Sequence, residues 1–375
     1  MKNKGRLFVF GVIALIFLVI NSFTGIIEFV TNYLWFKEVG YTETFFTKIK
    51  AQITIGVPIF LILTILLYIF IKRLKKKYDE ESEIINVNKK INLIIKLISA
   101  GVSLIITLNI TSTMWFQILQ YANSIDFGST DPIFNNDVSF YVFKLPLINT
   151  IVGSIISILF LLTVIIVLFN GYLAMKDSLK KLNEEFQDIQ QFPRQHIELN
   201  NILNKKFAER IINQLSIIGV LLFLLLGTRY VLRSYDLLYS QLGRVFGAGY
   251  TDINITLNLY RVLAVGCVAA AVTFFIGARK RNLKTALAVP AVLIIVSIIG
   301  TAVAGGVEKF IVEPDQLSKE SEYMQYSIKS TQDAYALSDV ETIQFPANNN
   351  LTIEDLENNP EVMENIKIND QEPLI

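Results

Sequence analysis

The sequence is poor in the residues from which most enzyme and metal sites are built. It contains one cysteine, Cys267, and one histidine, His196. A single thiol excludes an internal disulfide, and one histidine makes a zinc site or Ser-His or Cys-His catalysis improbable. Cys267 lies in an apolar run and is expected to pack there, whereas His196 has polar neighbours and is expected to be solvated. No HExxH or Gly-x-Ser-x-Gly motif occurs, so we predict no enzymatic activity, cofactor or metal.

Charged residues are also scarce. They make up 18% of the chain against 52% hydrophobic residues, and the mean hydropathy is +0.47. The charges fall in blocks between long apolar runs, whereas a water-soluble fold would spread them over its surface. The net charge of +1 gives no reason to expect nucleic-acid binding. This composition predicts an all-α membrane protein.

Seven apolar runs are long enough to cross a bilayer as helices. The predicted spans cover residues 7–30, 51–71, 91–114, 147–169, 211–228, 259–276 and 285–304. They predict a seven-span transmembrane bundle over residues 1–304. The first run resembles a signal peptide, but no small-x-small cleavage site follows Ile20, so an uncleaved span is predicted.

The orientation of the bundle follows from one basic cluster. Lys72-Arg73-Leu74-Lys75-Lys76-Lys77 comes directly after the second span. Lys and Arg near the end of a span resist translocation, so this cluster predicts a cytoplasmic loop. The other inner segments then contain more Lys and Arg than the outer ones. We therefore predict a multi-pass protein of the cell membrane with a cytoplasmic N-terminus and an extracytoplasmic C-terminus.

Several arginines on the predicted outer side run against this distribution. The charged residues concerned are Arg229, Arg233, Asp236, Arg244, Asp252 and Arg261. One interpretation is a site for an anionic lipid headgroup or envelope polymer, at which the four arginines converge near the outer membrane plane. The other is internal ion pairing, of Arg233 with Asp236 and of Arg261 with Asp252.

The third span is the most polar. Its polar residues recur every three or four positions and so share one helical face: Asn92, Lys96, Ser99, Ser103, Thr107 and Thr111. This stripe could line a hydrated path with Lys96 as an anion contact. Alternatively, it is a close seam between helices, with Lys96 reaching the cytoplasmic surface.

Two loops between the spans have a distinct character. The outer loop from Trp115 to Pro146 has an acidic centre, residues 126–137, whose oxygens suit calcium. Because the loop lacks the twelve-residue spacing of a calcium loop and its terminal Glu, a turn without metal is favoured. On the inner side, the apolar spacing over residues 170–210 predicts two amphipathic helices along the membrane surface.

The chain changes character after the seventh span. Residues 305–375 form a polar, acidic tail with too few large apolar residues for a core of its own, and we expect it to be the truncated start of a larger extracytoplasmic domain. Glu313-Pro314-Asp315 predicts the beginning of a helix with a thin apolar stripe that includes Leu317 and Met324. Thr352-Ile353-Glu354-Asp355 resembles a capping box that opens another short helix.

Several short motifs along the chain resemble those of a bacterial membrane family known as Uncharacterised Protein Family 0182. They are Trp35-Phe36-x-x-x-Gly40-Tyr41, Asp131-Pro132-Ile133-Phe134, Phe140-Tyr141-Val142-Phe143-Lys144-Leu145-Pro146, Tyr250-Thr251-Asp252, Tyr260-Arg261-Val262-Leu263-Ala264, Val312-Glu313-Pro314-Asp315 and Phe345-Pro346-Ala347. The resemblance implies seven spans followed by a large extracytoplasmic region. It implies no activity and no site residues.

Three functions remain open at this point, and the third, a membrane-embedded enzyme, has no catalytic motif to support it. The first is an anchor or scaffold that presents an extracytoplasmic region at the cell envelope, which the ordinary spans and lack of catalytic motifs favour. The second is a transporter or lipid-handling protein with an anionic-ligand site at the outer face. The expected partners are the lipid bilayer and, for the second function, an anionic lipid or polymer. A homo-oligomer or an envelope protein partner is compatible with the first and the second.

Overall fold

The structure is a computed structural model that describes residues 23–81, 89–188, 205–243, 246–344 and 351–365. In these ranges the chain has no β-strand and only an isolated antiparallel bridge between Thr130 and Asp137. The α-helices are α1 (residues 23–38), α2 (Thr42–Glu81), α3 (Lys89–Ala122), α4 (Leu145–Asp188), α5 (Lys205–Asp236), α6 (Leu257–Arg279), α7 (Leu283–Val307), α8 (Gln316–Ala334), α9 (Ile353–Glu357) and α10 (Pro360–Glu364).

Six helical stretches in the described ranges are long and apolar enough to cross a membrane. Helices α2 to α7 contain the predicted second to seventh spans, and each is longer than its span. Helix α1 includes only the end of the predicted first span, since residues 1–22 lie outside the described ranges. The predicted all-α fold of a multi-span membrane protein is confirmed.

Buried residues occur along each helix from α2 to α6, and α6 has the most. One cluster joins Leu74 of α2 to Leu159 and Ile166 of α4 and Ile218 of α5. A second joins Ile212 of α5 to Phe274 and Ala278 of α6 and to Ala286 of α7. Most of the remaining apolar surface of these helices is exposed, as expected where lipid replaces water as the solvent.

Small residues allow α6 and α7 to approach closely. A Cβ atom on Gly277 would lie 2.6 Å from Cα of Ala286, and Cβ atoms on Gly266 and Gly300 would overlap leucine side chains of the facing helix. Gly266 and Gly300 belong to small-xxx-small pairs, which permit such backbone approach in membrane helices. The α6–α7 hairpin therefore depends on the absence of these side chains.

Two segments differ from the expectation. The prediction of two amphipathic helices within residues 170–210 is wrong for the first of them, because α4 continues without a break to Asp188. His196 lies outside the described residues. After α7, a π-helical turn (Glu308–Val312) and a 3₁₀ turn (Glu313–Asp315) lead directly into α8, so Glu313 does not begin a separate helix. Continuous helix formation satisfies the backbone groups that a break would expose.

The described residues fall into two compact units, 1–324 and 325–375. In the second unit, the short helix α9 begins at the capping box predicted from the sequence. The Thr352 side chain accepts a hydrogen bond from the N–H of Asp355, and the Asp355 side chain accepts one from the N–H of Thr352. This reciprocal arrangement satisfies two backbone donors of the first turn.

Candidate functional site

Three segments meet at one end of the helix bundle, at the ends of α3, α5 and α7. We call the described residues among 126–144, 237–257 and 308–320 the collar. Ile133 and Phe134 of the first segment pack on a buried cluster formed by Leu237, Ala248 and Leu257 of the second. Four motifs of the family resemblance lie wholly or partly in these segments. The collar is therefore the region in which a specific function of this chain is to be sought.

Asp131 organises the first segment of the collar. Its Oδ1 accepts hydrogen bonds from the N–H groups of Ile133 (2.9 Å) and Phe134 (2.6 Å), and its Oδ2 accepts from the hydroxyl of Tyr141 (2.6 Å). Burial by itself would raise the pKa of Asp131, but these hydrogen bonds and one from the N–H of Asn136 outweigh it and lower the pKa. The ionised carboxylate thus holds the turn closed.

Asp137 has a similar role a few residues later. Its carboxylate accepts hydrogen bonds from the N–H groups of Ser139 (2.8 Å), Phe127 (3.1 Å) and Gly128 (2.8 Å). Hydrogen bonding to Ser139, followed by the other two donors, lowers the pKa of Asp137 to about 2. Both carboxylates are therefore used as acceptors for backbone donors. In the described residues, no group of three acidic, His or Cys side chains is placed to hold a metal ion.

The second segment contains the start of the helix that becomes α6. This helix begins at Tyr250, and the carbonyl of Gly249 accepts its first intrahelical bond, from the N–H of Ile253 (3.1 Å). Gly249 is thus the N-cap residue, and it has no side chain to accept a bond from the first N–H groups. Asp252, at the third helical position, reaches back to the N–H of Gly249 (3.3 Å), which is half of a capping box.

Another acceptor for the start of this helix comes from far along the chain. Oε1 of Glu320 in α8 accepts the N–H of Tyr250 at 2.9 Å, across 70 positions in the sequence. Glu320 is 3% exposed, and its Oε2 has no hydrogen-bond partner in the described residues. A Cβ atom on Gly249 would lie 2.9 Å from that Oε2, so glycine leaves room for the carboxylate. An anion at this position is favoured by the positive end of the helix dipole.

Two further hydrogen bonds join the same elements. The hydroxyl of Thr251, a residue 1% exposed, donates to Oε2 of Glu308 at 2.6 Å. The side-chain amide of Asn254 donates to the hydroxyl of Tyr323 at 3.4 Å. The start of α6 is therefore tied to the helical continuation of α7 at three points. We call these three hydrogen bonds the clamp.

No sequence pattern predicts the role of the clamp residues Glu308 and Glu320. The predicted apolar stripe of α8 includes Leu317, but Leu317 is exposed and Glu320 is buried on the face that packs. That prediction was wrong because the buried position is occupied by Glu320, whose carboxylate accepts a hydrogen bond from the N-terminus of the α6 helix. Only the glycine before Tyr250-Thr251-Asp252, a cap without a side chain, hints at an acceptor from elsewhere.

Two of the predicted arginines come together. Arg229 and Arg233, one turn apart on α5, line a pocket of about 200 Å³ with Leu226 and Tyr230. Both arginines are exposed, and the charges of both act on the carboxylate of Asp236 at the end of the helix. Among the described residues, neither arginine has a carboxylate within ion-pair distance, so the predicted Arg233–Asp236 ion pair does not form.

The other predicted charges are placed differently. Arg261 is exposed on α6 and donates to the side chain of Asn258 (3.4 Å), while Asp252 is buried at the helix start. The alternative pairing of Arg261 with Asp252 is therefore wrong, because Asp252 turns inward to cap the backbone. Arg261 does not line the pocket of Arg229 and Arg233. Arg244 lies outside the described residues.

The polar stripe of the third span faces α2. Ser99, Ser103 and Thr107 are almost completely buried, and the Ser103 hydroxyl is hydrogen-bonded to that of Thr64. A Cβ atom on Gly56 of α2 would lie 3.3 Å from Oγ1 of Thr111.

Lys96, at the start of the stripe, is exposed, with Nζ 5.8 Å from the ring centroid of Tyr68. The geometry therefore matches the interpretation of the stripe as a seam between helices. Cys267 is buried in α6, as expected of a packing residue.

These observations define an all-α protein whose helices are long and apolar enough to cross a membrane and are joined at one end by a hydrogen-bonded collar. The chain belongs to the uncharacterised protein family UPF0182, whose sequence model matches residues 8–375.

Relatives in several bacteria support the assignment. A UPF0182 protein of Alkaliphilus metalliredigens is 36% identical over 355 residues, covering 93% of this chain and 37% of the relative. One from Clostridium perfringens is 34% identical, covering 100% of this chain and 39% of the relative, and one from Clostridium kluyveri is 31% identical, covering 97% and 40%. The chain thus spans about two fifths of the length of these relatives. No solved structure matches it.

Proposed function

We propose that this chain is a membrane anchor that holds an extracytoplasmic region at the bacterial cell envelope. The observation that carries the proposal is the clamp, which ties the helical continuation of the last span to the start of α6. An anchor needs a stiff connection between its membrane portion and the region it presents. The clamp and the continuous helix supply such a connection.

The length of the continuation supports this role. Residues 283–324 are helical throughout and lie within the first compact unit. At ~1.5 Å per residue the 25 residues of α7 alone measure roughly 38 Å, more than the ~30 Å thickness of a bilayer's hydrocarbon core, so the continuation is proposed to lie beyond that core. A helix that continues beyond the membrane is free to bend unless other residues support it. That support comes from the start of α6, where Tyr250, Thr251 and Asn254 form hydrogen bonds with residues 308–323 of the continuation.

The collar is proposed to lie outside the cell. Successive spans alternate in direction, so the end of α2 with Lys72–Lys77 and the turn from Arg279 to Arg281 fall at the end of the bundle opposite the collar. Clusters of Lys and Arg favour the cytoplasmic side. The structural use of Asp131 and Asp137 also supports a role for the collar in architecture rather than in catalysis, because their carboxylate oxygens accept backbone donors.

The orientation is tested with cysteine labelling of intact cells. Cys267 is first replaced by alanine, and single cysteines are then introduced as Arg73→Cys at the basic end and as Ser330→Cys on the exposed surface of α8. A membrane-impermeant maleimide is expected to label position 330 and to spare position 73 until the cells are opened. Labelling of position 73 and protection of position 330 in intact cells would contradict the proposal.

The anchoring role itself is tested with a reporter attached after Ile375. Alkaline phosphatase, which is active only outside the cytoplasm, is expected to be active there and to stay with membranes after alkaline extraction. A fluorescent protein that folds only in the cytoplasm serves as the matched control and is expected to stay dark. Release of the phosphatase fusion by alkaline extraction would refute an integral anchor.

A further inference from the structure

An apolar cleft lies in the region of the bundle formed by the predicted spans. It has a volume of about 500 Å³ and lies between α4, α5 and α6, with Phe160, Leu222 and Phe274 among its lining residues. The hydroxyls of its two polar lining residues, Ser157 and Thr163, donate to carbonyls of their own helix at 2.9 and 3.0 Å. The wall is therefore apolar, and its volume lies within the usual range for ligand sites.

The apolar cleft and the pocket of the two arginines share one lining residue. Leu226 lines both cavities, and Arg229, Tyr230 and Arg233 follow on the same side of α5. From Leu215 to Leu226 the helix rises roughly 16 Å, close to the ~15 Å of one leaflet's hydrocarbon. The guanidinium groups then lie one to two turns further along, where the headgroups of that leaflet would be.

The charges at this end complement a phosphodiester. Arg229 and Arg233 contribute two positive charges, and Asp236, one turn beyond, contributes one negative charge, which leaves a single net positive charge. Since neither arginine is ion-paired among the described residues, their donors are available, and guanidinium groups suit the geometry of phosphate oxygens. A soluble phosphate would use the arginines but leave the apolar cleft unfilled.

We propose that this cavity binds one membrane phospholipid, with its phosphate between Arg229 and Arg233 and an acyl chain in the cleft of α4, α5 and α6. This goes beyond the anchor role and does not depend on it, because it uses none of the hydrogen bonds of the clamp. The site gives the chain a preferred lipid in the leaflet on the collar side.

The test is a lipid titration of the purified chain followed by native mass spectrometry. The probes are phosphatidylglycerol, a diacylglycerol with the same acyl chains, and inorganic phosphate. The variants are the double change Arg229→Gln with Arg233→Gln, and Leu222→Trp, which fills the cleft and leaves both arginines in place. Arg261→Gln is the matched control, since Arg261 is also exposed at this end but lies outside the pocket. Circular dichroism checks the helix content of each variant.

The wild-type chain is expected to bind phosphatidylglycerol more tightly than diacylglycerol. The double arginine variant is expected to weaken phosphatidylglycerol binding by about tenfold or more, the equivalent of losing one charge-assisted hydrogen bond. Leu222→Trp is expected to weaken it by about tenfold or more as well, because the larger side chain fills the cleft. Arg261→Gln is expected to bind as the wild type does. Unchanged binding of phosphatidylglycerol by the double variant would overturn the proposal. So would unchanged binding by Leu222→Trp together with tight binding of inorganic phosphate, which would identify a soluble anion as the ligand.

Discussion

Replacing Glu320 by alanine is expected to loosen the collar while the transmembrane helices remain folded. The change removes the acceptor of the Tyr250 N–H and leaves that donor unpaired in a site where Glu320 is 3% exposed. A buried donor left without a partner costs about 1–3 kcal/mol, and loss of the anion from the helix N-terminus adds to this. A total of about 2 kcal/mol corresponds to roughly 30-fold more frequent local opening.

Glu320→Gln separates the two contributions. The glutamine keeps an acceptor oxygen for Tyr250 but loses the charge, so only the dipole term of about 0.3–1 kcal/mol is removed. We therefore expect opening to increase only a few-fold, between the wild type and Glu320→Ala. Glu313→Gln is the control, because Glu313 is an exposed carboxylate of the same helical segment and has no hydrogen bond to the start of α6.

Hydrogen–deuterium exchange by mass spectrometry measures the opening directly. Peptides that contain residues 250–253 and 308–320 are expected to exchange about 30-fold faster in Glu320→Ala, while peptides from the middle of α2 and α3 keep the wild-type rate. Exchange at residues 250–253 within twofold of the wild type in Glu320→Ala would refute the capping role. Equal rates in the Gln and Ala variants would show that the charge, rather than the hydrogen bond, is responsible.

Three further predictions concern the helices and the collar loop. Gly277→Ala places a methyl group against the backbone of Ala286 and is expected to destabilise the detergent-solubilised protein by about 1–3 kcal/mol in thermal unfolding, whereas Gly305→Ala, with open space around it, is expected to have little effect. Ser103→Ala removes a buried hydroxyl contact to α2 and is expected to cost about 0.6 kcal/mol, against no measurable change for the exposed Ser112→Ala. The collar loop is expected to open in acid, because the pKa of Asp137 is about 2 in the folded chain and 3.8 in the reference state. A carboxyl with a lowered folded pKa stabilises the loop above the unfolded value, and this stabilisation is lost as the pH falls from about 4 towards 2. Cleavage by pepsin near residue 127 should therefore increase over that interval, and Asp137→Asn should already be cleaved at pH 4.

Each of these outcomes can contradict the structure. Equal melting temperatures for the Gly277 and Gly305 variants would show that α6 and α7 do not approach as described. An effect of Ser112→Ala as large as that of Ser103→Ala would remove the distinction between the seam and the lipid face. A pepsin cleavage rate for the wild type that does not change between pH 4 and pH 2 would mean that the Asp137 carboxylate does not hold the loop.

The spans and the local caps could be predicted from the sequence. Whether twenty consecutive residues partition into hydrocarbon depends mainly on their composition, so the central parts of α2 to α7 could be located, although only six of their twelve ends lie within three residues of the predicted span ends. The capping box of Thr352 and Asp355 joins residues three apart, and the spacing of Arg229 and Arg233 by four places them on one side of α5. Each of these features depends only on residues within one helix or at its end.

The ends of the helices and the partners of the charges could not be predicted in this way. Hydropathy does not mark where α4 stops, because a helix continues in water wherever its backbone bonds are kept. Proximity in the sequence suggested an ion pair between Arg261 and Asp252. In the structure, the Asp252 carboxylate instead accepts a hydrogen bond from the backbone N–H of Gly249 at the start of its own helix. Glu320 was overlooked because its partner, the N–H of Tyr250, is 70 positions away.

The sequence by itself determined that this chain has spans and, through the family motifs, to which family it belongs. The free energy of placing apolar side chains in hydrocarbon is nearly additive along a segment, so it needs no knowledge of neighbours. Only the tertiary structure decided that Glu320 caps α6 and that the pocket of two arginines shares Leu226 with an apolar cleft. Those features depend on which helices pack together, and a hydrogen bond or cavity forms only where packing brings distant residues within a few ångströms.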